Sequence, residues 1–171
     1  EDNAFVMMNV TLPEGISQTE TKQVSEQISK WLEQQPGVTS VMNVVGFSIL
    51  ANGPKSNGST SFIGMSDWDE RKDKSLSVDA LVGKIMGMGN QIPQATVIAM
   101  NPPPIDGMGT SSGFTMQLEN RGSHTTAELS AMAQKFIAAA RKRPEIGSVY
   151  TAFAADTPGY QLDIDRDKVA K

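Results

Sequence analysis

The sequence predicts an α+β fold of ferredoxin-like split βαβ repeats, with one complete βαββαβ unit and a partial βαββ unit after it. Two observations predict this: the order of strand and helix patterns in residues 1–103, and the return of that order in residues 114–171. The chain has 171 residues, 39% of them hydrophobic, which is enough to bury a core and is not a disordered composition. We therefore predict a first subdomain over 1–103, a linker over 104–113 and a partial second subdomain over 114–171.

Hydrophobic periodicity, together with cap and turn residues, defines the elements of the first unit. The run "SQTE" has a serine followed three residues later by glutamate, which is typical of a helix start, and Pro36 ends that helix. The predicted elements are a strand over Ala4–Leu12, a helix over Gln18–Gln35, strands over Val38–Val45 and Thr60–Met65, a helix over Val78–Gly89 and a strand over Ala95–Asn101. In the second of these helices, Gly83, Gly87 and Gly89 should each cost up to ~1 kcal/mol relative to alanine.

The second unit repeats the same signals. "TTAE" matches "SQTE", Pro144 matches Pro36, and the alternating strand before each helix also corresponds, which indicates two copies of one unit. The predicted elements are a strand over Phe114–Glu119, a helix over Thr126–Arg143, and strands over Ser148–Phe153 and Tyr160–Ile164. The chain then stops before a second helix, and it resembles a piece of a longer protein.

The two units differ between their middle strands, where the first inserts "GFSILANGPKSNGSTSF". This stretch predicts a long glycine-rich loop that carries apolar residues at its start. The predicted sheet is apolar on both faces, so the face away from the helices must meet something. Either it packs on another domain, or it lines a hydrophobic ligand cleft with the loop as a flap hinged at Gly46, Gly53 and Gly58.

Several classes of function are excluded or disfavoured. The net charge is −4 with no basic face, which argues against a nucleic-acid partner, and the absence of cysteine removes disulfides and thiolate chemistry. No stretch is long and apolar enough to span a membrane. No spacing supports a catalytic acid–base pair or a phosphate loop, so we predict no enzyme activity, no catalytic residue and no cofactor. His124 is interpreted as a surface residue near a helix start, and Asp67–Lys72 as a solvated turn with local ion pairs.

The chain contains ten methionines. Thioethers can bind Cu(I) or Ag(I), and Met7, Met8, Met86 and Met88 are the first candidates for such a site. Methionine also fills cores, so we predict no metal site and keep metal handling as a weaker alternative.

The motifs "FVMMNVTLPEGIS", "NGSTSFIGMSDWDER", "SSGFTMQLENR" and "TPGYQLDIDRDKVAK" resemble those of resistance-nodulation-division (RND) multidrug efflux transporters of the hydrophobe/amphiphile type. The resemblance covers nearly the whole chain. It implies the start of the second large periplasmic loop of a bacterial inner-membrane transporter, with one complete porter subdomain and the first part of the next.

The resemblance also implies a function and a set of site residues. The family exports drugs, dyes, detergents and bile salts with the proton gradient, as a homotrimer that works with a periplasmic adaptor and an outer-membrane channel. The implied substrate-binding residues are Phe47 and Ile49 in the switch loop over Gly46–Ser59; Phe114, Met116 and Leu118 in an access pocket; Asn9 and Thr11 facing the cleft; and Met42, Val44 and Phe62 in a deep pocket. The rival hypothesis is a structural module whose open sheet face only packs on neighbouring subdomains.

Overall fold

The computed structural model of the chain describes residues 2–102, 114–146 and 149–155. Four strands form one antiparallel sheet in the order β2-β3-β1-β4. The elements are β1 (Phe5–Thr11), α1 (Gln18–Leu32), β2 (Val38–Ser48), β3 (Gly53–Met65), a short 3-10 helix (Lys74–Leu76), α2 (Val78–Gly89), β4 (Thr96–Met100) and α3 (Thr126–Ala140). This order and sheet topology confirm the predicted α+β, ferredoxin-like architecture for the first unit.

The core lies between the sheet and helices α1 and α2. Because side chains alternate along a strand, β1 sends every second residue toward the helices. Those residues meet the apolar faces of both helices, and the buried cluster comprises Val6, Met8, Val10, Leu12, Ile28, Leu32, Ile63, Met65, Val78, Leu81, Ile85, Val97 and Ala99.

Both predicted capping boxes form. The Ser17 hydroxyl accepts from the Glu20 amide at 3.2 Å, and the Thr125 hydroxyl accepts from the Glu128 amide at 3.2 Å. Each glutamate carboxylate in turn accepts from the cap residue's own amide, so both helix starts are satisfied as the sequence indicates. The helices end three residues earlier than predicted, at Leu32 and Ala140, because their last residues pass into turns before each proline.

The predicted glycine-rich loop is a β-hairpin, so the predicted ends of its two flanking strands are wrong. β2 continues to Ser48 and β3 begins at Gly53, with Phe47 opposite Pro54 and Ser48 opposite Gly53. The turn between them is closed by the Asn52 amide donating to the Ile49 carbonyl at 3.3 Å, with Asn52 at φ 51°. Strand pairing supplies hydrogen-bond partners for the backbone N–H and C=O groups of a Gly- and Ser-rich segment as well as for those of any other segment. The composition of this segment therefore predicted a loop where the structure has a hairpin.

The partial second unit keeps its helix but not its predicted strands. Helix α3 forms, whereas Phe114–Glu119 and the described residues 149–153 of the predicted strand Ser148–Phe153 have no strand structure. A strand exists only through pairing, and an alternating pattern does not supply the partner. The predicted strand Tyr160–Ile164 and the predicted linker 104–113 lie outside the described residues.

The prediction of a solvated turn over Asp67–Lys72 is wrong for Arg71. Arg71 is buried, and its guanidinium donates to both carboxylate oxygens of Asp2, at 2.6 and 2.9 Å. It also donates to the carbonyls of Ser66 at 2.6 Å and Leu76 at 2.9 Å. The Arg71 guanidinium holds the pKa of the Asp2 carboxyl well below its usual range. The other residues of the run, Asp67–Glu70 and Lys72, are exposed as predicted.

Candidate binding face

Five of the ten predicted substrate-binding residues share one face of the sheet, opposite helices α1 and α2. Met42 pairs with Phe62, and Thr60 lies between Val44 on one side and Asn9 on the other. Thr11 follows Asn9 by two residues and therefore points the same way. The alternation of β1, β2 and β3 thus brings Asn9, Thr11, Met42, Val44 and Phe62 together on what we call the open face.

The part of the open face near β2 is apolar and accessible. Met42 is 58% exposed, Val44 is also exposed, and Phe62 is half-buried. The Phe62 ring stacks on Phe5 with 6.1 Å between ring centroids and 19° between planes. A thioether beside an aromatic pair is a polarizable surface that can adapt to differently shaped apolar ligands.

The tip of the β2–β3 hairpin bends across this face. The Ser48 hydroxyl at the end of β2 donates to the Asn9 side-chain oxygen on β1 at 2.9 Å, although β3 lies between those strands. Adjacent strands are about 4.8 Å apart, so the tip must fold over β3 to make this contact. Phe47 and Ile49 are carried on the tip and are half-buried.

Asn9 is covered by this arrangement. Its side chain is 1% exposed, and its amide nitrogen donates to the Thr11 hydroxyl at 3.0 Å. In this conformation Asn9 therefore holds the hairpin and does not present itself to a ligand. Sequence reasoning missed that role, although a polar residue inside the apolar run "VMMNV" was an available signal.

The second half of the predicted loop is fixed to the fold. The Asn57 side chain donates to the Leu12 carbonyl at 2.6 Å, and the Leu12 amide donates to the Asn57 carbonyl at 2.8 Å. The Thr21 hydroxyl donates to the Ser56 carbonyl at 2.9 Å, and the Lys55 ammonium lies 2.8 Å from a Glu14 carboxylate oxygen.

The three predicted hinge glycines differ in how firmly the structure holds them. Gly58 pairs with Thr11 in the sheet, and a Cβ there would lie 3.3 Å from Lys55, so this position is held in place. Gly46 has φ +87° and sits where the β2–β3 register shifts, which is a conformation that favours glycine. Gly53 is the first residue of β3 and lies next to the turn.

The other predicted pocket residues lie before α3. Phe114 is 81% exposed, and Met116 and Leu118 are also exposed. Leu118 lines a cavity of about 360 Å³ between the segment 118–124 and α3, together with residues that include Arg121 and Met132. The structure does not place these three residues on the sheet that carries the open face.

The methionine candidates for metal binding are divided between the two sides of the sheet, with Met7 on the open face and Met8 on the helix side, where Met86 and Met88 also pack on the core. Met7 and Met8 are neighbours on β1 and point to opposite faces, with Met8 in the core cluster. The Met86 sulfur accepts from the Ala99 amide at 3.4 Å and packs on the core. Among the described residues, no three His, Cys, Asp or Glu side chains lie close enough together to hold a metal ion. His124 is exposed near the start of α3, as predicted.

A split βαββαβ unit with an accessible apolar face defines a module suited to contact with apolar molecules or with other domains. The whole chain, residues 1–171, matches the AcrB/AcrD/AcrF family. The chain therefore belongs to that family of RND multidrug efflux transporters, which confirms the resemblance seen in its motifs.

The chain is similar to several efflux transporters. It is 31% identical over 172 residues to the toluene efflux pump membrane transporter TtgB of Pseudomonas putida (strain DOT-T1E), covering 99% of this chain and 16% of that protein. It is 28% identical over 171 residues to the multidrug resistance protein MdtF and 26% identical over 171 residues to the multidrug export protein AcrF, both of Escherichia coli (strain K12). Each of those two matches covers 98% of this chain and 16% of the relative.

By name TtgB is a membrane transporter and AcrF is an export protein, so the family to which the chain belongs is one of transporters and not of enzymes. The chain spans 16% of the length of the relatives it matches. Within the described residues, none of the helices combines the length and the hydrophobicity needed to cross a bilayer.

Proposed function

We propose that the chain is a periplasmic substrate-binding (porter) portion of a proton-driven RND efflux pump in a bacterial inner membrane. In this role it captures hydrophobic and amphiphilic compounds, such as drugs, dyes, detergents and bile salts, and passes them on. The observation that carries the proposal is the open face, where Met42 is 58% exposed beside Val44 and Phe62 while the hairpin tip bends over the neighbouring strands.

The chemistry of this face suits varied substrates. Burying apolar surface contributes about 25 cal/mol per Å² whatever the ligand's exact shape, and flexible methionine can repack around different ligands. Phe47 and Ile49 on the tip would add to this surface, and Phe114, Met116 and Leu118 would form a second contact region. The name of the TtgB relative, a toluene efflux pump, supports an apolar substrate.

Family membership supports a proposal about the wider assembly. We propose that the parent transporter is a homotrimer that joins a periplasmic adaptor and an outer-membrane channel. Proton transfer would belong to a membrane-embedded part of that transporter.

The structural-module alternative has its own supporting observation. Met7 and Met100 lie on the same face as Asn9, next to each other across β1 and β4, and both are already buried within this chain. That half of the face is therefore used for packing. In this alternative, neighbouring subdomains would cover Met42 and Val44 as well.

An environment-sensitive naphthylamine dye separates the two functions. Met42→Ser should weaken dye binding about tenfold, because removing one apolar contact side chain costs about 1–1.5 kcal/mol. Trp68→Ser is the matched control, since Trp68 is another exposed large apolar residue and lies outside the open face. Dye titration by fluorescence measures both variants. Equal losses in the two variants, or no saturable binding to the unmodified chain, would favour the structural module.

A further inference from the structure

A buried polar cluster lies within the open face, beside its apolar part. It consists of Asn9 on β1, Ser48 at the end of β2 and Thr60 on β3, and all three are buried. We call these residues the latch. They come from three strands, and their side chains meet where the hairpin tip crosses the sheet.

The latch provides hydrogen-bond partners for backbone groups of the hairpin tip. The Ile49 amide donates to the Thr60 hydroxyl at 3.0 Å, and the Ala51 amide donates to the Ser48 hydroxyl at 3.2 Å. The Thr60 hydroxyl is 3.2 Å from the Phe47 carbonyl and 3.5 Å from the Asn9 oxygen. A hydroxyl has one proton, so the closer Phe47 carbonyl is the better acceptor for it.

Asn9 orients the latch without contacting the turn backbone. Its side-chain oxygen accepts the Ser48 proton at 2.9 Å, which leaves the Ser48 lone pairs free for the Ala51 amide. Removal of that acceptor would leave the proton of the buried Ser48 hydroxyl without an acceptor, and this is costly in a site with little water. The bonds of the latch are therefore expected to break together and not one at a time.

The two ends of the glycine-rich segment differ in how they are held. Residues 55–58 are bonded to Leu12, Thr21 and Glu14 through side chains and backbone, and they remain part of the sheet when the latch opens. The tip, residues 46–54, is joined to β2 at the bulge formed by Gly46. The tip is thus the segment that release of the latch would free.

We propose that Asn9 is the positioning residue of a polar latch that holds the tip of the β2–β3 hairpin over the open face. Opening the latch uncovers Asn9 and Thr60 and frees Phe47 and Ile49 to contact a ligand. This second part rests on the proposed function, whereas the latch itself does not depend on it.

Amide hydrogen exchange tests the latch in the absence of ligand. Ser48→Ala removes one hydroxyl and leaves Thr60, the acceptor of the Ile49 amide, in place. Exchange at Ile49 should become about five- to tenfold faster in Ser48→Ala and in Asn9→Leu, while the core amides of Met8 and Ile63 keep their rates. Asn9→Asp keeps an acceptor at this position and should restore slow exchange relative to Asn9→Leu.

Ser61→Ala is the matched control, because it removes a buried hydroxyl from the opposite face of β3, where Ser61 donates to Asn43 at 2.6 Å. It should leave the Ile49 rate unchanged. An unchanged Ile49 rate in Ser48→Ala overturns the latch, and so does equal acceleration at Ile49 in Ser61→Ala. Ser48→Ala alone decides the outcome if Asn9→Leu does not fold.

The naphthylamine dye tests the link to ligand binding. If the hairpin tip is released in a larger fraction of the molecules, the apparent affinity of the chain for the dye rises. Ser48→Ala should therefore bind the dye about threefold to fivefold more tightly than the unmodified chain. Faster exchange with unchanged dye affinity would overturn the effect of the latch on ligand binding, while the latch itself would stand. Absence of dye binding to the unmodified chain would instead reject the proposed function, and the latch would still be judged by exchange.

Discussion

Replacing Asp2 with alanine is expected to lower the free energy of unfolding by about 3 kcal/mol, the low end of the cost of breaking a buried ion pair. The Arg71 side chain is 1% exposed, whereas that of Asp2 is 33% exposed. Loss of Asp2 would therefore leave a desolvated guanidinium with only its two carbonyl acceptors. It would also remove the carboxylate oxygen that accepts from the Val78 amide at 3.2 Å, at the start of α2.

Chemical denaturation of the chain measures this loss. Asp69→Ala is the control, since it deletes an exposed carboxylate from the run Asp67–Lys72 that contains Arg71. It should change the free energy of unfolding by less than about 0.5 kcal/mol. Arg71→Met should lower the free energy of unfolding by less than Asp2→Ala does. Methionine keeps the packing of the arginine's apolar stem, and the partly exposed Asp2 carboxylate can be solvated by water once its partner is gone. If Asp2→Ala and Asp69→Ala unfold at the same denaturant concentration, the pair does not stabilise the fold.

The same pair predicts a pH dependence. The pKa of Asp2 is depressed in the folded chain, so its contribution is present above the unfolded value of about 3.9 and is lost as the pH falls toward the folded value. Between pH 5 and 2, the unmodified chain should therefore lose more stability than Asp2→Ala. Parallel stability curves for the two proteins would contradict this assignment.

Local signals account for the parts of the fold that could be predicted. The capping boxes at Ser17 and Thr125 and the helical spacing after them lie within a few residues of the elements they define. The family resemblance implied a cleft position for Asn9 and deep-pocket positions for Met42 and Val44, and it is the strand register that brings the three residues to one face. Strand order then follows from the βαββαβ sequence of elements.

Non-local contacts account for what could not be predicted. Nothing near Arg71 indicates that its partner is Asp2, and nothing near Asn9 indicates that Ser48 will cover it. The glycines and serines of the hairpin predict a loop because such residues are typical of solvated segments, although their backbone groups are paired in the structure. The alternating pattern of Phe114–Glu119 predicts a strand, although pairing with a neighbour decides whether a strand forms.

Glycine substitutions in helix α2 are expected to have opposite signs, although the sequence alone assigns the same cost to each of these glycines. Gly83→Ala and Gly87→Ala should each raise the free energy of unfolding by about 0.5–1 kcal/mol. A Cβ at either position meets nothing within 4 Å, so the helix gains the propensity difference without a clash.

Gly89→Ala should instead lower the free energy of unfolding by about 1–3 kcal/mol. A Cβ at Gly89 would lie 2.6 Å from the Cβ of Val97 and 3.1 Å from its Cγ2. Val97 is β-branched and part of the buried cluster, so it has little freedom to turn away. Either α2 or β4 must shift, and that movement would open the packing between helix and sheet.

Thermal or chemical denaturation of the three alanine variants, compared with the unmodified chain, tests this contrast. Gly89→Ala combined with Val97→Ala is the decisive control, because removal of the Val97 methyl groups relieves part of the clash. The double variant should then lose less than the sum of the two single losses, as expected for residues in direct contact. A stabilising Gly89→Ala would show that the close approach of α2 to β4 does not require glycine, whereas strict additivity would show only that the Val97 methyl groups do not contribute to the clash.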